Sequence, residues 1–414
     1  MKMTEVEPIV GERILLDDSV GLLWSFMRYN GLLPNFCRNK QENRMCYIAR
    51  FMITLSAMLF ILIYSGFLIR EIIEIARDTV EVLKVIEILY TLVSMLSALF
   101  FLIHYLVYRD EFMELFEDWR KMEIEFSSPS TATKRRTMIK LIYVLYLAVL
   151  IGQPVTILIW NIMDPDEVFF ISSHSNELLS TLFLSSITAF CYYYHVIYYC
   201  MGELMPTLFY YHAGCAIENI ERELQDAFIF GRLSAGHSTV SVTNVDNQPN
   251  RASKLFRGVW KKYETVFQFV KRANKLFAFS IICRHFTWFV LRCLAVYTIL
   301  KMSNSLDTIS KFFTVLNLIE LLRAVLVNRL ISYLYSSRDL LRDTIAALLS
   351  QKWQLLSEDD RNLLIVFQSR LVDGILTISP FNLYTVSPSN LLSMLSLIVT
   401  YIIVLLQIDI STTH

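Results

Sequence analysis

Residues 391–407 read LLSMLSLIVTYIIVLLQ, an apolar segment long enough to span a bilayer. An α-helix turns about 100° per residue, so the polar residues of this segment share one face, within about 60° of one another. The residues on this face are Ser389, Ser393, Ser396, Thr400 and Gln407. One such helix cannot enclose water, but several copies around an axis can, with their polar faces inward. The alternative is a helix packed closely against others, which small Ser and Thr side chains permit.

The end of this segment resembles the signature of insect gustatory receptors. That signature is Thr-Tyr, five apolar residues and then Gln-Phe, at the end of the seventh membrane helix, and residues 400–407 read TYIIVLLQ. Ile408 stands where the family usually has Phe. The length and helix layout of the whole chain also resemble that family. Odorant receptors share the architecture, but their last helix usually ends differently.

The composition excludes a soluble domain. The chain has 414 residues, 55% of them hydrophobic, and its mean hydropathy is +0.46. Seven segments have the length that a bilayer requires, which predicts an all-α integral membrane protein with seven transmembrane helices. The predicted spans are residues 48–69, 85–107, 139–163, 178–201, 276–300, 312–334 and 391–410.

The distribution of Lys and Arg predicts the orientation of these spans. Most of these residues lie in the N-terminal segment and in the second, fourth and sixth loops. The other loops contain only Arg70, Arg77, Lys84, Lys301 and Lys311. Because cytoplasmic loops carry the excess of positive charge, we expect a cytoplasmic N-terminus, and seven spans then place the C-terminus outside.

The loops divide the chain into further predicted segments. Residues 1–47 form a cytoplasmic N-terminal segment, and residues 202–275 form amphipathic helical extensions interrupted by a flexible polar loop at 231–253. Residues 335–388 contain cytoplasmic anchor helices, after which prolines 380 and 388 break the chain before the last span, and residues 411–414 form an extracellular tail. These extensions resemble the cytoplasmic bundle that joins four gustatory-receptor subunits. Packing of their apolar faces within one chain is the alternative.

Charged and aromatic residues in the outer halves of the spans are candidates for a ligand pocket. Arg292 and Glu320 are expected at equal depth on antiparallel neighbouring helices, where an ion pair would form, with Arg323 one turn further along. The other candidates are aromatic and amide residues suited to small tastants: Tyr90, Gln153, Trp160, Trp288, Tyr297 and Asn317. A structural ion pair and core or lipid-facing packing are the alternatives for these residues.

Enzyme function is not indicated, because the sequence contains no Walker A motif, dinucleotide-binding glycine motif or nucleophile elbow. The seven histidines lack metal-ligand spacing such as H-E-x-x-H, so no metal and no cofactor is expected. The net charge is zero, and no basic block suits nucleic acid.

The resemblance implies a tastant-gated, non-selective cation channel in the plasma membrane of chemosensory dendrites. It also implies a homo- or heterotetramer with other gustatory receptors, whose pore is lined by the polar face of the last helix and by two apolar residues between Thr400 and Gln407. The predicted pore-lining residues are Ser393, Ser396, Thr400, Ile403, Val404 and Gln407. Sugar receptors of the family often have an acid where Ile402 stands, which favours a bitter-type or orphan receptor.

Three other functions remain open on the sequence, of which a transporter is disfavoured because the sequence shows no internal repeat. An odorant receptor would use the same channel mechanism with a different ligand. A metabotropic seven-helix receptor belongs to another class and is disfavoured by the predicted orientation and by the lack of an N-P-x-x-Y-like end to the last span. The position of the N-terminus, inside or outside the cell, discriminates between a channel and a metabotropic receptor.

Overall fold

The described part of the chain is helical, apart from turns and one short extended segment. In a computed structural model, the described residues are scattered positions between 52 and 73, and then residues 82–126, 129–163, 178–236, 248–302, 308–352, 358–372 and 376–412. No strand occurs among them. The predicted N-terminal segment, residues 1–47, lies outside the described residues.

From residue 82 onward, the described residues form eight α-helices and one 3-10 helix. The α-helices are α1 (Val82–Val107), α2 (Arg109–Glu125), α3 (Pro129–Met163), α4 (Leu178–Gly236), α5 (Gln248–Met302), α6 (Thr308–Lys352), α7 (Glu358–Val372) and α8 (Pro388–Thr412). The 3-10 helix, Pro380–Asn382, lies between α7 and α8.

The second to seventh predicted spans lie almost entirely within α1, α3, α4, α5, α6 and α8. Several of these helices extend well beyond the apolar stretch, because amphipathic sequence continues the helical pattern after the hydropathy falls. Helix α4 reaches Gly236 and α5 begins at Gln248, so both ends of the predicted flexible loop 231–253 are helical, and residues 237–247 lie outside the described part. Helix α8 continues to Thr412, so the predicted tail 411–414 begins as helix.

Helix α4 is at the centre of the bundle and packs against α1, α3, α5 and α6. Its contact with α6 is the most extensive, and Gly214 explains how closely the two helices approach. A Cβ atom at Gly214 would lie 2.8 Å from Cδ1 of Tyr333 and 3.0 Å from the backbone nitrogen of Leu334. Only glycine leaves room for this approach of two backbones.

Polar contacts join the helical extensions beyond the predicted spans. Asp118 of α2 accepts a hydrogen bond of 2.5 Å from Arg272 of α5, and Thr344 of α6 donates one of 2.8 Å to Glu221 of α4. Tyr333 donates to Glu218, which links α6 and α4 again. These contacts join the extensions to α2 and to the end of the sixth predicted span within one chain.

Length and apolar composition alone are a weak guide to membrane crossing here. Among the described helical stretches, Phe256–Tyr297 is long and apolar enough to cross a bilayer, and its most apolar part is 61% buried. Thr91–Val107 and Arg109–Met122 together meet the same standard but are bent by 81°. By length and composition, the described helices thus include one span, or two if the bent pair is counted as one.

Candidate functional site: the last helix and a buried charge network

The segment before α8 fixes the start of the last helix. Pro388 is its first residue, a position where proline costs no hydrogen bond because the first backbone N–H groups of a helix lack intrahelical acceptors. Asn390 Nδ2 donates a hydrogen bond of 2.7 Å to the carbonyl oxygen of Thr385. Val386 N donates one of 2.8 Å to the carbonyl oxygen of Ile378, which closes the preceding turn. The position of α8 is thus tied to the loop that carries Tyr384.

One face of α8 packs against α5 and α6. Ile398 and Ile402 are buried in a small apolar cluster with Trp288 and Cys293 of α5 and Ala324 of α6. Tyr401 adds an edge-to-face contact with Phe289 of α5, at 5.3 Å between ring centroids. These contacts leave the opposite face of α8 uncovered by the other described parts of the chain.

The six predicted pore-lining residues are all on the uncovered face and are exposed in the single chain: Ser393, Ser396, Thr400, Ile403, Val404 and Gln407. Ser393 and Thr400 donate hydrogen bonds to carbonyl oxygens one turn earlier, at 3.3 and 3.0 Å. Hydroxyls bonded in this way are partly satisfied inside an apolar environment. The amide of Gln407 has two donors and an acceptor, more than its own helix can satisfy.

A network of buried charges joins α4, α5 and α6. The expected ion pair is present, with 3.5 Å between Arg292 Nη2 and Glu320 Oε2, and both side chains are buried. Glu320 also accepts hydrogen bonds of 2.9 and 2.5 Å from Nε and Nη2 of Arg323. Arg323 is completely buried and contacts the carboxylate of Glu203 as well. Arg323, rather than Arg292, is therefore the centre of the network.

Two members of the network were not predicted from the sequence. Glu203 follows the fourth predicted span and lies in the predicted cytoplasmic extension, yet it contacts Arg323 of the sixth span. Tyr146 of α3 donates a hydrogen bond of 2.7 Å to Glu203, and its ring lies 4.9 Å from the Arg323 guanidinium carbon. An acidic residue directly after an apolar span, beside Gly202, was the only signal in the sequence.

The candidate pocket residues do not form one described cluster. Trp288 packs in the apolar cluster beneath α8, and Tyr297 is buried. Arg292 and Glu320 are joined in the charge network, which is the contact that a structural ion pair would make. The remaining four candidates have side chains outside the described part of the structure: Tyr90, Gln153, Trp160 and Asn317.

Comparison with known families identifies the architecture. The model of the seven-transmembrane chemosensory receptor family matches residues 20–412, nearly the whole chain. The chain belongs to this family. It is accordingly a seven-helix membrane receptor, and the resemblance seen at the last helix is confirmed at the level of the chemosensory receptors. No curated protein sequence matches the chain.

Solved structures show the same fold. The insect olfactory receptor OR5 of Machilis hrabei in complex with eugenol is similar, with a TM-score of 0.68 and 14% sequence identity. The structure of the same receptor, described without eugenol, has a TM-score of 0.65 at the same identity. Each alignment covers 97% of this chain and 100% of the other. At this identity, the likeness establishes the fold of the chemosensory receptor and leaves its ligand open.

Proposed function

We propose that this chemosensory receptor is a subunit of a tastant-gated, non-selective cation channel, of the bitter or orphan class. The observation that carries the proposal is the uncovered polar face of α8. Ile398 and Ile402 fix the helix against its own subunit, and the residues on the other side are exposed, with no contact that covers them among the described residues. Polar side chains are unfavourable in contact with lipid. If several copies of α8 surround a central axis with this face inward, the polar side chains contact water instead.

The width of the uncovered surface fits this arrangement. Apolar residues flank the polar stripe on both sides, with Val399 on one side and Leu397 and Tyr401 on the other, and all three are exposed in the single chain. In a ring of subunits, such flanks would contact neighbouring copies while the stripe faces the axis. If lipid surrounded the helix instead, the polar stripe between the two apolar flanks would face lipid, which is unfavourable.

Residues at the outer end of α8 suit a gate. Ile403 and Val404 lie between the polar positions Thr400 and Gln407, and both are exposed on the uncovered face. Close approach of several copies would form an apolar constriction that excludes water, and separation of the helices would wet it. No fixed charge lies on the stripe, so weak selectivity among monovalent cations is expected.

The helical extensions supply a second surface for assembly into a homo- or heterotetramer. Several large apolar side chains remain exposed on α6, α7 and the loop before α8. They are Leu340, Ile365, Val366, Val372, Phe381 and Leu383. The intrachain contacts leave these residues uncovered, and burial of large apolar patches is the usual reason for association.

The distinction between taste and smell rests on the signature at residues 400–407, which favours a gustatory receptor. The fold is equally consistent with an odorant receptor, and the similar OR5 structure contains eugenol. The proposed orientation has the N-terminus in the cytoplasm and the C-terminus outside, and the proposed location is the plasma membrane of chemosensory dendrites. Tags at each terminus, stained before and after permeabilisation, test this orientation.

Expression in cells that lack chemosensory receptors tests the proposed function. Calcium imaging against sugars, bitter compounds and volatile odorants such as eugenol identifies the ligand class. Excised patches then separate a channel from a metabotropic receptor, because a ligand-gated channel conducts without cytoplasmic nucleotides. We expect ligand-evoked cation current in such patches. A response that requires guanine nucleotides would contradict the channel, and responses restricted to volatile odorants would favour the odorant receptor.

A further inference from the structure

A narrow cleft opens between α1, α4 and α5, away from the predicted outer pocket. Its empty space is about 330 Å³ when the open space at its mouth is included, so only a small part of this volume is enclosed. The residues that define it are Phe100, Phe101, Glu203, Phe279, Ser280 and Arg284. On the predicted orientation, these residues lie in the inner half of the bilayer, because residues 107, 201 and 276 are the inner ends of the spans concerned.

Arg284 is a buried cation without a carboxylate partner among the described residues. Its Nη2 donates hydrogen bonds to two neutral acceptors, His285 Nε2 at 2.9 Å and Asn328 Oδ1 at 3.3 Å. Its Nη1 is buried and has no hydrogen-bond partner in the described part of the chain. Arg292 and Arg323, by contrast, both contact Glu320. A buried cation needs an anion to offset the cost of its desolvation.

In the part of the chain that the structure describes, the charges around the cleft leave one positive charge uncompensated. Among the described residues, the neighbouring network contains Arg292 and Arg323 against Glu203 and Glu320, two positive and two negative charges. Arg284 adds one more positive charge. Glu203 lines the cleft, but Arg323 and Tyr146 already hold its carboxylate. A single anionic group beside Arg284 would balance the region.

The remaining walls suit an amphipathic molecule. The hydroxyl of Ser280 is buried and lacks a described partner, so it provides a second donor. Phe100 and Phe279 are 48% and 37% exposed, and their rings are 6.2 Å apart in an edge-to-face contact. In a membrane receptor, such exposed rings face lipid. At the base of the cleft, Gly202 allows the Phe101 ring to pack closely on α4, because a Cβ atom at this position would lie 2.9 Å from the ring.

From this arrangement we infer that the cleft is a binding site for an anionic amphiphile. Its single small head group, a carboxylate or phosphate, accepts hydrogen bonds from Arg284 and Ser280. Its acyl chain leaves past Phe100 and Phe279 into the bilayer. A free fatty acid and an anionic phospholipid share this chemistry. The site is separate from the tastant pocket and from the pore face, so it stands whether or not the chain conducts ions.

Photolabelling of the full-length receptor in nanodiscs tests the inference. The bilayer is phosphatidylcholine, and the probes are palmitate and phosphatidylglycerol with a photoreactive group in the acyl chain. Palmityl alcohol with the same group is the uncharged control. Labelled peptides are mapped by mass spectrometry. We expect at least one anionic probe to label the peptides that contain Phe100 and Phe279, and the alcohol to label them weakly.

Variants then assign the labelling to Arg284. Below saturation, Arg284→Gln should reduce anionic labelling about tenfold, since a charge-assisted hydrogen bond is lost, and Arg284→Lys should retain most of it. Arg257→Gln changes an exposed arginine and should have no effect. Labelling by palmitate alone identifies a fatty acid, labelling by phosphatidylglycerol alone identifies a phospholipid, and labelling by both means that the site accepts either. Each of these outcomes supports the site when Arg284→Gln reduces the labelling as expected.

Two results would overturn the inference. A separate experiment keeps the test decisive if Arg284→Gln does not fold. Equal labelling by palmityl alcohol and palmitate, or labelling that Arg284→Gln leaves unchanged, would show that no anion site exists. If Arg284→Gln does not fold, Ser280→Ala and competition in the wild-type receptor take its place. Unlabelled palmitate or phosphatidylglycerol should then displace the probe, whereas the alcohol should not; displacement by all three alike rejects the site.

Discussion

Replacement of Arg323 by methionine is the most severe test of the buried charge network. The arginine is completely buried and contacts the carboxylates of Glu203 and Glu320. Its removal leaves both carboxylates in place, with Arg292 as the remaining cation of the network, 3.5 Å from Glu320. Methionine fills much of the volume, so the loss is electrostatic rather than a cavity. Removing one partner of a buried pair costs about 3–5 kcal/mol.

That cost is large against the whole stability of a protein, which is typically about 5–15 kcal/mol. We therefore expect Arg323→Met to reduce surface expression strongly. In purified receptor, the Tm should fall by about 5 °C, because the shift per kcal/mol becomes smaller as the chain lengthens. The assay is size-exclusion chromatography with fluorescence detection after heating. Arg257→Met is the control, since this arginine is exposed and its Asp359 partner lies 3.9 Å away.

A double variant separates charge balance from packing. Glu203→Gln removes the carboxylate that Arg323 leaves behind, so Arg323→Met with Glu203→Gln retains the neutral pair of Arg292 and Glu320. We expect the double variant to recover at least half of the lost stability. A Tm for Arg323→Met equal to that of the Arg257→Met control, or a double variant no more stable than Arg323→Met alone, would refute the electrostatic reasoning.

Three further predictions concern helix packing, the loop before α8 and the gate. Gly214→Ala should lower the free energy of unfolding by about 1–3 kcal/mol, because its Cβ would meet Tyr333 and the backbone of Leu334. Gly258→Ala, whose Cβ would have nothing within 4 Å, should raise the free energy of unfolding by about 0.5–1 kcal/mol. Thermal melts compare the two variants, and equal effects would contradict the close approach of the two helices at Gly214. Arginine only donates hydrogen bonds, so Nε2 of His285 accepts from Arg284, and the Nδ1–H of His285 donates to the Tyr384 hydroxyl. Burial raises the pKa of Tyr384 to about 12, so the hydroxyl stays protonated at neutral pH. Tyr384→Phe should cost about 1–3 kcal/mol of stability by leaving the Nδ1–H donor unpaired, and a melt equal to that of the wild type would reject the bond. Gln407→Ala should change single-channel conductance or raise basal current while ligand sensitivity is kept, and wild-type values of both would refute the gate.

Local pattern was enough to predict the last helix and its faces. The 3.6-residue period separates Thr400 from Ile402, and the structure places the first on the exposed face and the second in the core. The contact between Arg292 and Glu320 also followed from the sequence, because antiparallel neighbours bring residues at equal distances from a shared end to equal depth. Both predictions need only one helix or one adjacent pair.

The rest of the site depends on contacts between distant parts of the chain. Glu203 is paired with Arg323 across 120 positions of sequence (323 minus 203), which periodicity does not report. The hydropathy falls before Glu203, so the fourth span is predicted to end at residue 201, although α4 continues unbroken to Gly236. The cleft beside Arg284 was missed for the same reason, since three helices that are far apart in sequence contribute its walls.

Cysteine accessibility on α8 tests the central claim most directly. Thr400→Cys and Val399→Cys are compared in a background whose native cysteines do not respond to a charged methanethiosulfonate reagent. Both native residues are exposed in the single chain, but they lie about 100° apart on the helix. In a water-filled pore, the thiol at position 400 is accessible and can ionise to the reactive thiolate. A thiol at position 399, which lies against lipid or a neighbouring subunit, is protected from the reagent. We expect much faster modification at Thr400→Cys, with a change in current; equal rates, or faster modification at Val399→Cys, would contradict a pore lined by the polar face of α8.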